Sequence, residues 1–422
     1  MDNKKLITYL QKSFLSGNLK TMLTVITTGI FLPLIIRKIG MDTYGIISLS
    51  TIIGGLFGTI DLGINKAVTV LIGKSNKKDA GIIFANGLVI IGSLFFIVSL
   101  LLLLLTNNLN IFGNQVDISK SLENYIVLIS LLSFGIILFN NIIGATLQAY
   151  YLNHYTDIGY AIFSTIFYLG LYTISFFTES LYLLIGSSLI AYTVTALYLI
   201  LVLKKKTSFQ IKKPNLNTIK LMIRISYQFF NIGMTYAFIQ PINKYIFLAI
   251  TGNTALLGVL DIGLKIGNLA NSLLNSLTQP LLGIFSSIQF RKETVTRIAN
   301  RVSLMVLVQY ILGTILFCFI GERITSYLSQ EYGTQLYTIS LIFIMGIGSN
   351  AISEPYFKVF VSNENFLVAF LCKLFIPLSN IIFFIIFYQM AFLERIVISF
   401  SLASLSSNLV IISYYFWSKS GK

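Results

Sequence analysis

The chain has 422 residues, of which 55% are hydrophobic and 11% charged, with mean hydropathy +0.83 and formal net charge +15. No soluble domain of this length has that composition, and the continuous apolar runs lack β-barrel alternation, so a polytopic helical membrane protein is expected. The basic residues fall in short gaps between apolar runs, which argues against a nucleic-acid partner. The single histidine excludes a two-histidine metal site, and Cys318 and Cys372 lie inside apolar segments, so neither a disulfide framework, a metal nor a cofactor is expected.

Lysines precede the first apolar run, as in a signal peptide, but the run is long and lacks a small-residue cleavage site. It reads as an uncleaved span over 13–36, with Ser13, Gly17, Lys20, Thr24 and Thr27 on one face. The second span, 44–70, repeats the theme with Tyr44, Ser48, Thr51, Gly55, Gly58, Asn65 and Thr69. Small residues on one face allow close helix packing, so a packing seam and a cavity wall both remain open here. Asp61 and Lys66 lie near its far end, where they either reach the interface or join a site.

Further spans are expected at 81–105, 124–149, 157–178 and 181–203. The stretch KKKTSFQIKKPNLNTIKLMIR, 204–224, is the one sizeable polar interruption, and six more spans follow at 225–250, 254–284, 302–321, 333–357, 364–388 and 394–417. The expected fold is therefore all-α, with about twelve transmembrane helices in two six-helix lobes, 1–203 and 225–422, joined by the basic linker. Placing both termini inside puts 21 basic residues on the cytoplasmic side, Lys358 among them, against 5 outside. That bias predicts cytoplasmic termini. A shift of 213 aligns Ser13 with Ser226, Asn18 with Asn231 and Gly45 with Gly258, and a shift of 209 aligns Asn141 with Asn350. The common order and near-constant shift favour a duplication with parallel repeats, and a substrate between the halves near mid-membrane.

Within the eighth span, Asp261, Lys265, Asn268, Ser272, Asn275 and Gln279 recur at steps of three or four and so share one narrow helical stripe. Hydrocarbon solvates neither ions nor amides, so the stripe must face protein or a watered cavity. Two readings follow. One is a seam glued by amide hydrogen bonds, with Asp261 and Lys265 paired across four residues. The other, which the mixture of ions and amides favours, is a polar-lined cavity. Lys244 shares a face with Tyr236 and Gln240 just beyond Pro241, and Lys373 shares one with Pro377 and Asn380. Buried ammonium groups suit an anionic cargo, and amides and tyrosines suit sugar hydroxyls.

The stretches LPLIIRKIGMDTYGIISLS, IDLGINKAV and NKYIFLAITGNTALLGVLDIGLKI, with the six-plus-six layout, resemble polysaccharide-export proteins of the multidrug/oligosaccharidyl-lipid/polysaccharide superfamily. Among these the chain looks most like the O-antigen or lipid-linked oligosaccharide flippases of bacterial inner membranes. The resemblance implies a MATE-like fold. It implies translocation of an undecaprenyl-pyrophosphate-linked oligosaccharide from the cytoplasmic to the periplasmic leaflet by alternating access. The lipid-linked anionic glycan and membrane lipids are then the expected partners, with other glycan-assembly proteins as further candidates. Asn243 stands where many relatives carry an acid, so ion coupling at that position is not implied.

Two rival classes make distinct demands. A membrane glycan polymerase would act on the same cargo, but the longest external gap, TNNLNIFGNQVDISKSLEN, is short and carries no convergent charge cluster. LIGKSN has the ending of a phosphate-binding loop without its earlier glycine, so ATP hydrolysis is not expected and the chain reads as a non-enzyme. A drug/cation antiporter of the same superfamily would use membrane acids, for which Asp61, Asp157 and Glu354 are the ion-coupling candidates.

Overall fold

The computed structural model describes residues 3–58, 63–75, 78–108, 119–207, 210–237, 239–278, 281, 285, 292–363 and 365–420. Among these residues the regular structure is helical throughout, with no strand. The helices are α1 (Asn3–Gly58), α2 (Ile64–Lys74), α3 (Ala80–Asn108), α4 (Lys120–Ala149), α5 (Asn153–Phe177), α6 (Leu181–Lys206) and α7 (Leu216–Ala237). They continue as α8 (Ile239–Thr251), α9 (Thr254–Asn275), α10 (Lys292–Leu328), α11 (Gly333–Gly348), α12 (Asn350–Ser362), α13 (Phe366–Ile386) and α14 (Phe392–Ser420).

Nine of the described helices are long and apolar enough to cross a membrane. The three expected spans outside that set are 44–70, 225–250 and 254–284, and each has its own reason. Residues 59–62 lie outside the described residues, so 44–70 is described only in part; Gly40, with φ 80° and ψ 164°, interrupts the helical path inside α1, and the helical stretch beyond it, 41–58, opens that expected span. The described residues of 225–250 are helical in α7 and α8, residue 238 between them lying outside the described residues, and α7 begins at Leu216, inside the expected linker. In the third, the polar stripe lowers the hydropathy of α9, and the chain leaves the helix at Asn275 for a turn over 276–278.

The contacts group residues 22–255 into one compact unit and residues 1–21 with 256–422 into another. The border between these units falls at Ala255 and Leu256. In the N-terminal unit α4 is the central helix and packs against α2, α3, α5 and α6. Phe134, Leu138, Ile142 and Ala145, at three- and four-residue steps, bury one face of it. The helix starts on Ser119, whose hydroxyl accepts the Leu122 N–H at 3.3 Å, so an orphan donor of the first turn is satisfied. Helix α7 lies on α2 and α3. Gly63, with φ 73°, makes the approach possible: a β-carbon there would stand 2.5 Å from the Ser226 carbonyl oxygen and 2.8 Å from the Phe229 side chain.

In the C-terminal unit α14 packs against α11, α12 and α13, with Phe343, Ile347 and Phe400 fully buried. The tenth expected crossing, 333–357 extended to Gly333–Ser362, consists of two helices, α11 and α12. The ladder tightens at Ser349, where the Ile352 N–H bonds to the Ser349 carbonyl at 3.0 Å, and Pro355 has no N–H to offer Ala351. Neighbouring helices supply the missing partners. Asn408 of α14 donates to the Ser349 hydroxyl (2.8 Å) and accepts from the Ser353 hydroxyl (2.7 Å). Ser303 of α10 donates to the Ile352 carbonyl (2.8 Å), and Tyr310 donates to the Met345 carbonyl (2.9 Å). A break at membrane depth persists because protein groups, not lipid, meet its polar atoms.

Candidate functional site

The polar stripe of α9 lies inside the C-terminal unit. It begins with the ion pair that a four-residue spacing predicts: Lys265 Nζ stands 2.8 Å from Asp261 Oδ2. The acid is 1% exposed and the ammonium 28%, so the cation is the member turned toward open space. Leu257, Leu260, Ile262 and Leu264 are buried around the acid, which makes an unpaired carboxylate there costly. The helix approaches α11 closely at Gly267, where a β-carbon would meet the Phe343 side chain at 2.8 Å.

Further along, Asn275 donates its amide N–H to the Asn271 side-chain oxygen at 2.9 Å, and the Thr278 hydroxyl bonds to Asn275 Oδ1 at 3.2 Å. Asn268 is half-buried one turn before Asn271. The N-terminal part of α1 joins the same helix, because the Thr21 hydroxyl lies 3.3 Å from that of Ser272. Lys20, half-buried, is the next residue on that docked helix.

The run ends on α12. Lys358 Nζ donates to the Thr278 carbonyl at 2.8 Å and to its hydroxyl at 3.2 Å, and stands 3.7 Å from Glu354 Oε1. A lysine at this place satisfies a carbonyl left over where the α9 ladder ends, and opposes the negative end of the helix dipole. From Asp261 to Thr278 the stripe covers about 25 Å at 1.5 Å per residue. It holds an acid–base pair at each end with amides and hydroxyls between. Lys373 of α13 joins from the side, its ammonium 4.7 Å from the centre of the Phe357 ring, one residue before Lys358.

The structure thus gathers Asp261, Lys265, Asn268, Asn275 and Glu354 on α9 and α12, with Lys20 and Lys373 on helices that pack beside them. Asn380 is half-buried further along α13. Gln240 and Lys244 are half-buried on α8, and Asp157 is 5% exposed on α5; all three belong to the N-terminal unit. Pro241 lies among the helical residues 239–251 of α8. Tyr236 and Asp61, like Gln279, lie outside the residues whose side chains are described.

Asn271, Thr278 and Lys358 were not expected at the site. Lys358, counted among the inner-side charges, is instead 13% exposed within α12. Its four-residue spacing from Glu354 was the available signal, the same one that links Asp261 to Lys265. Asn271 stands at that spacing from Asn275.

No protein-family model and no curated protein sequence matches the chain. Solved structures do match it, along nearly its whole length. It is similar to the outward-facing conformation of a multidrug resistance MATE family transporter of the MOP superfamily, at 13% identity over 98% of this chain and 96% of that one, with TM-score 0.72. It is similar to the lipid II flippase MurJ in an inward closed conformation, at 16% identity over 97% of this chain and 87% of that one, with TM-score 0.70. A MOP superfamily transporter from Pyrococcus furiosus, described as having a binding pocket of reverse polarity, matches at 14% identity over 100% of this chain and 96% of that one, with TM-score 0.65. At such identities the likeness is one of fold. The chain is a multi-pass, all-α membrane protein with the MATE-like fold.

Proposed function

We propose that this protein is a flippase that moves a lipid-linked anionic oligosaccharide, of the undecaprenyl-pyrophosphate class, from the cytoplasmic to the periplasmic leaflet. One observation supports the reading above the others. The polar run of the C-terminal unit sets three lysines, Lys265, Lys358 and Lys373, among amides and hydroxyls on otherwise apolar helices. Lys265 and Lys373 are proposed as phosphate contacts, because each is half-buried rather than enclosed. Asn268 and Asn275 are proposed to meet sugar hydroxyls, for which an amide offers both donors and an acceptor.

A cation about 4 Å from a phosphate gains roughly 4 kcal/mol at an effective dielectric near 20. Contacts of that strength select a pyrophosphate over a neutral lipid, and they also slow its release. Asp261 answers both demands: it pairs with Lys265 when the cargo is absent and competes for it when the cargo must leave. Alternating access then carries the headgroup across by exchanging which side the site opens to. Lys244 and Gln240, with Tyr236, remain proposed cargo contacts of the N-terminal unit.

The test is the fate of lipid-linked intermediates in cells lacking the protein. Complete repeat units accumulating on the cytoplasmic leaflet are the expected result. Normal delivery to the periplasm with unpolymerised product would point to a polymerase and overturn the proposal. A drug/cation antiporter is the second reading, favoured by Asp157, a carboxylate 5% exposed on α5. Proton- or sodium-driven efflux of organic cations by reconstituted protein, with glycan lipids left untransported, would establish it instead.

A further inference from the structure

The N-terminal unit carries a second charged feature that the cargo reading does not use. Between Glu179 and Asp261 the sequence has no acidic residue, while Lys204, Lys205, Lys206, Lys212, Lys213, Lys220, Arg224 and Lys244 all fall there. The first seven of these are exposed. Large apolar side chains are exposed among them: Ile211, Leu216, Leu221, Ile223 and Tyr227. A solvated linker would show the charges without the apolar groups. Alternation of the two is what a surface lying in the headgroup region of a bilayer requires.

The location agrees. Exposed Leu197 and Leu201 mark the outer face of α6, and Lys204 follows within one turn of Leu201, so the basic patch begins where the apolar surface of a crossing helix ends.

The patch is also held in place. The Asn215 N–H donates to Oδ1 of Asn86, a fully buried residue of α3, at 2.8 Å. Asn215 in turn caps α7, its side-chain oxygen accepting the Asn217 N–H at 2.9 Å and its carbonyl accepting the Ile219 N–H at 3.0 Å. Upstream, the linker backbone lies directly on Gly81: a β-carbon there would overlap the Gln210 carbonyl oxygen. Lys206 stands 5.8 Å from the centre of the Tyr155 ring. Below the patch, Met222 and Ser226 are buried, so Lys220, Leu221, Ile223 and Arg224 are turned outward by the packing of α7.

We propose that residues 204–207 and 210–224 carry an anionic-phospholipid site, in which Lys212, Lys213, Lys220 and Arg224 bind phosphodiester headgroups while Ile211, Leu216 and Leu221 enter the acyl boundary. A pinned linker holds these cations together without the ordering cost that a flexible basic tail would incur on binding. The partner is the lipid itself, since a soluble acidic protein would leave the interleaved leucines and isoleucines against water.

The test is independent of cargo and of which leaflet the patch faces. The full-length protein is placed in nanodiscs of phosphatidylcholine with increasing phosphatidylglycerol, and the lipids that it retains on extraction are counted by native mass spectrometry. Wild-type protein is expected to enrich phosphatidylglycerol several-fold over the bulk, with the enrichment falling as salt rises. The combined Lys212→Gln, Lys213→Gln, Lys220→Gln and Arg224→Gln variant is expected to lose that enrichment and retain lipids near the bulk ratio, at an unchanged melting temperature, because all four side chains are exposed. Replacing the three lysines with arginine should preserve it. Asn86→Ala, which alters no charge, should lower it about twofold by loosening the linker. The proposal is overturned if the glutamine variant keeps its enrichment. It is also overturned if wild type shows none, or if a phosphorylated acidic peptide binds this patch in phosphatidylglycerol nanodiscs undiminished by the lipid.

Discussion

Helices α9 and α14 each thread a line of polar residues through an apolar segment, and they use them in opposite ways. On α14, Ser399, Ser401, Ser404, Ser407 and Asn408 are all buried. The four serines are small, and their neighbours come close: a β-carbon on Gly346 of α11 would meet Ser401 Cα at 2.5 Å. The hydroxyls of Ser399, Ser401 and Ser404 have no hydrogen-bond partner among the described residues. Packing, rather than hydrogen bonding, accounts for their size, as is usual where membrane helices touch. On α9 the polar groups are larger, two are ionised, and they bond to one another and to α12 while Lys265 stays partly open. Small and enclosed marks a seam. Long, charged and half-open marks a site.

The largest effect that would sharpen this contrast comes from Lys265→Ala. It strands Asp261 in a buried position, which costs about 3 kcal/mol when a buried pair loses one member. A lowered melting temperature and at least a tenfold loss of export are expected. The Asp261→Ala, Lys265→Ala double variant should recover the melting temperature, since neither charge is then unpaired. Export should stay low, because the cargo contact is still missing. Recovery of both would assign the pair to structure alone, and α9 would join α14 as a seam.

Next is Asn408→Leu, of similar volume. It leaves the Ser349 and Ser353 hydroxyls without the amide that spans the α11–α12 break, a loss of roughly 2 kcal/mol for two buried bonds. Melting should fall, and export should fall only with the amount of folded protein. A well-folded Asn408→Leu protein with no export would show that the break is worked during transport, and that α14 is more than packing.

Lys358→Gln follows. It removes a charged donor from the Thr278 carbonyl and should cost about 1.5 kcal/mol. Lys358→Arg should restore most of the stability. If it also restores export, the residue positions the end of α9; if stability returns without export, the shape of the ammonium itself matters to the cargo.

What could be read in the sequence follows the range of the interaction. The Asp261–Lys265 pair was legible because a helix repeats every 3.6 residues and four-residue spacing is local. The bond from Lys358 to Thr278 spans 80 positions and depends on where α9 stops, which hydropathy does not reveal. Lys358 was therefore assigned to the inner-face charges merely because it follows an apolar run. The interruption at Ser349 was missed for a related reason: its supports, Ser303, Tyr310 and Asn408, come from other helices, and the sequence of α11 and α12 reads as one continuous crossing. The all-helical membrane class needed only composition, whereas the interruption at Gly40 depends on a backbone conformation that hydropathy does not encode.

The smallest expected effect separates a wet stripe from a dry one. The Thr21 hydroxyl donates to the Gly17 carbonyl at 2.9 Å, so across the 3.3 Å gap between Thr21 and Ser272 the hydrogen belongs to Ser272. Thr21→Val keeps the shape and branching of the side chain and removes the acceptor. Ser272 is half-buried, and on a watered stripe it finds a water molecule at once, so the loss should be no more than about 0.6 kcal/mol, the usual worth of a side-chain hydrogen bond between membrane helices. The reference is Ser407→Ala in α14, which removes a fully buried donor from the Cys372 carbonyl at 3.0 Å, where no water replaces it. Thermal melting of the two variants in the same detergent compares the helices directly. A larger drop for Ser407→Ala is expected, with export by Thr21→Val within twofold of wild type. Equal drops would mean that Ser272 sits as dry as Ser407, and the polar run on α9 would then be a seam that happens to carry charge.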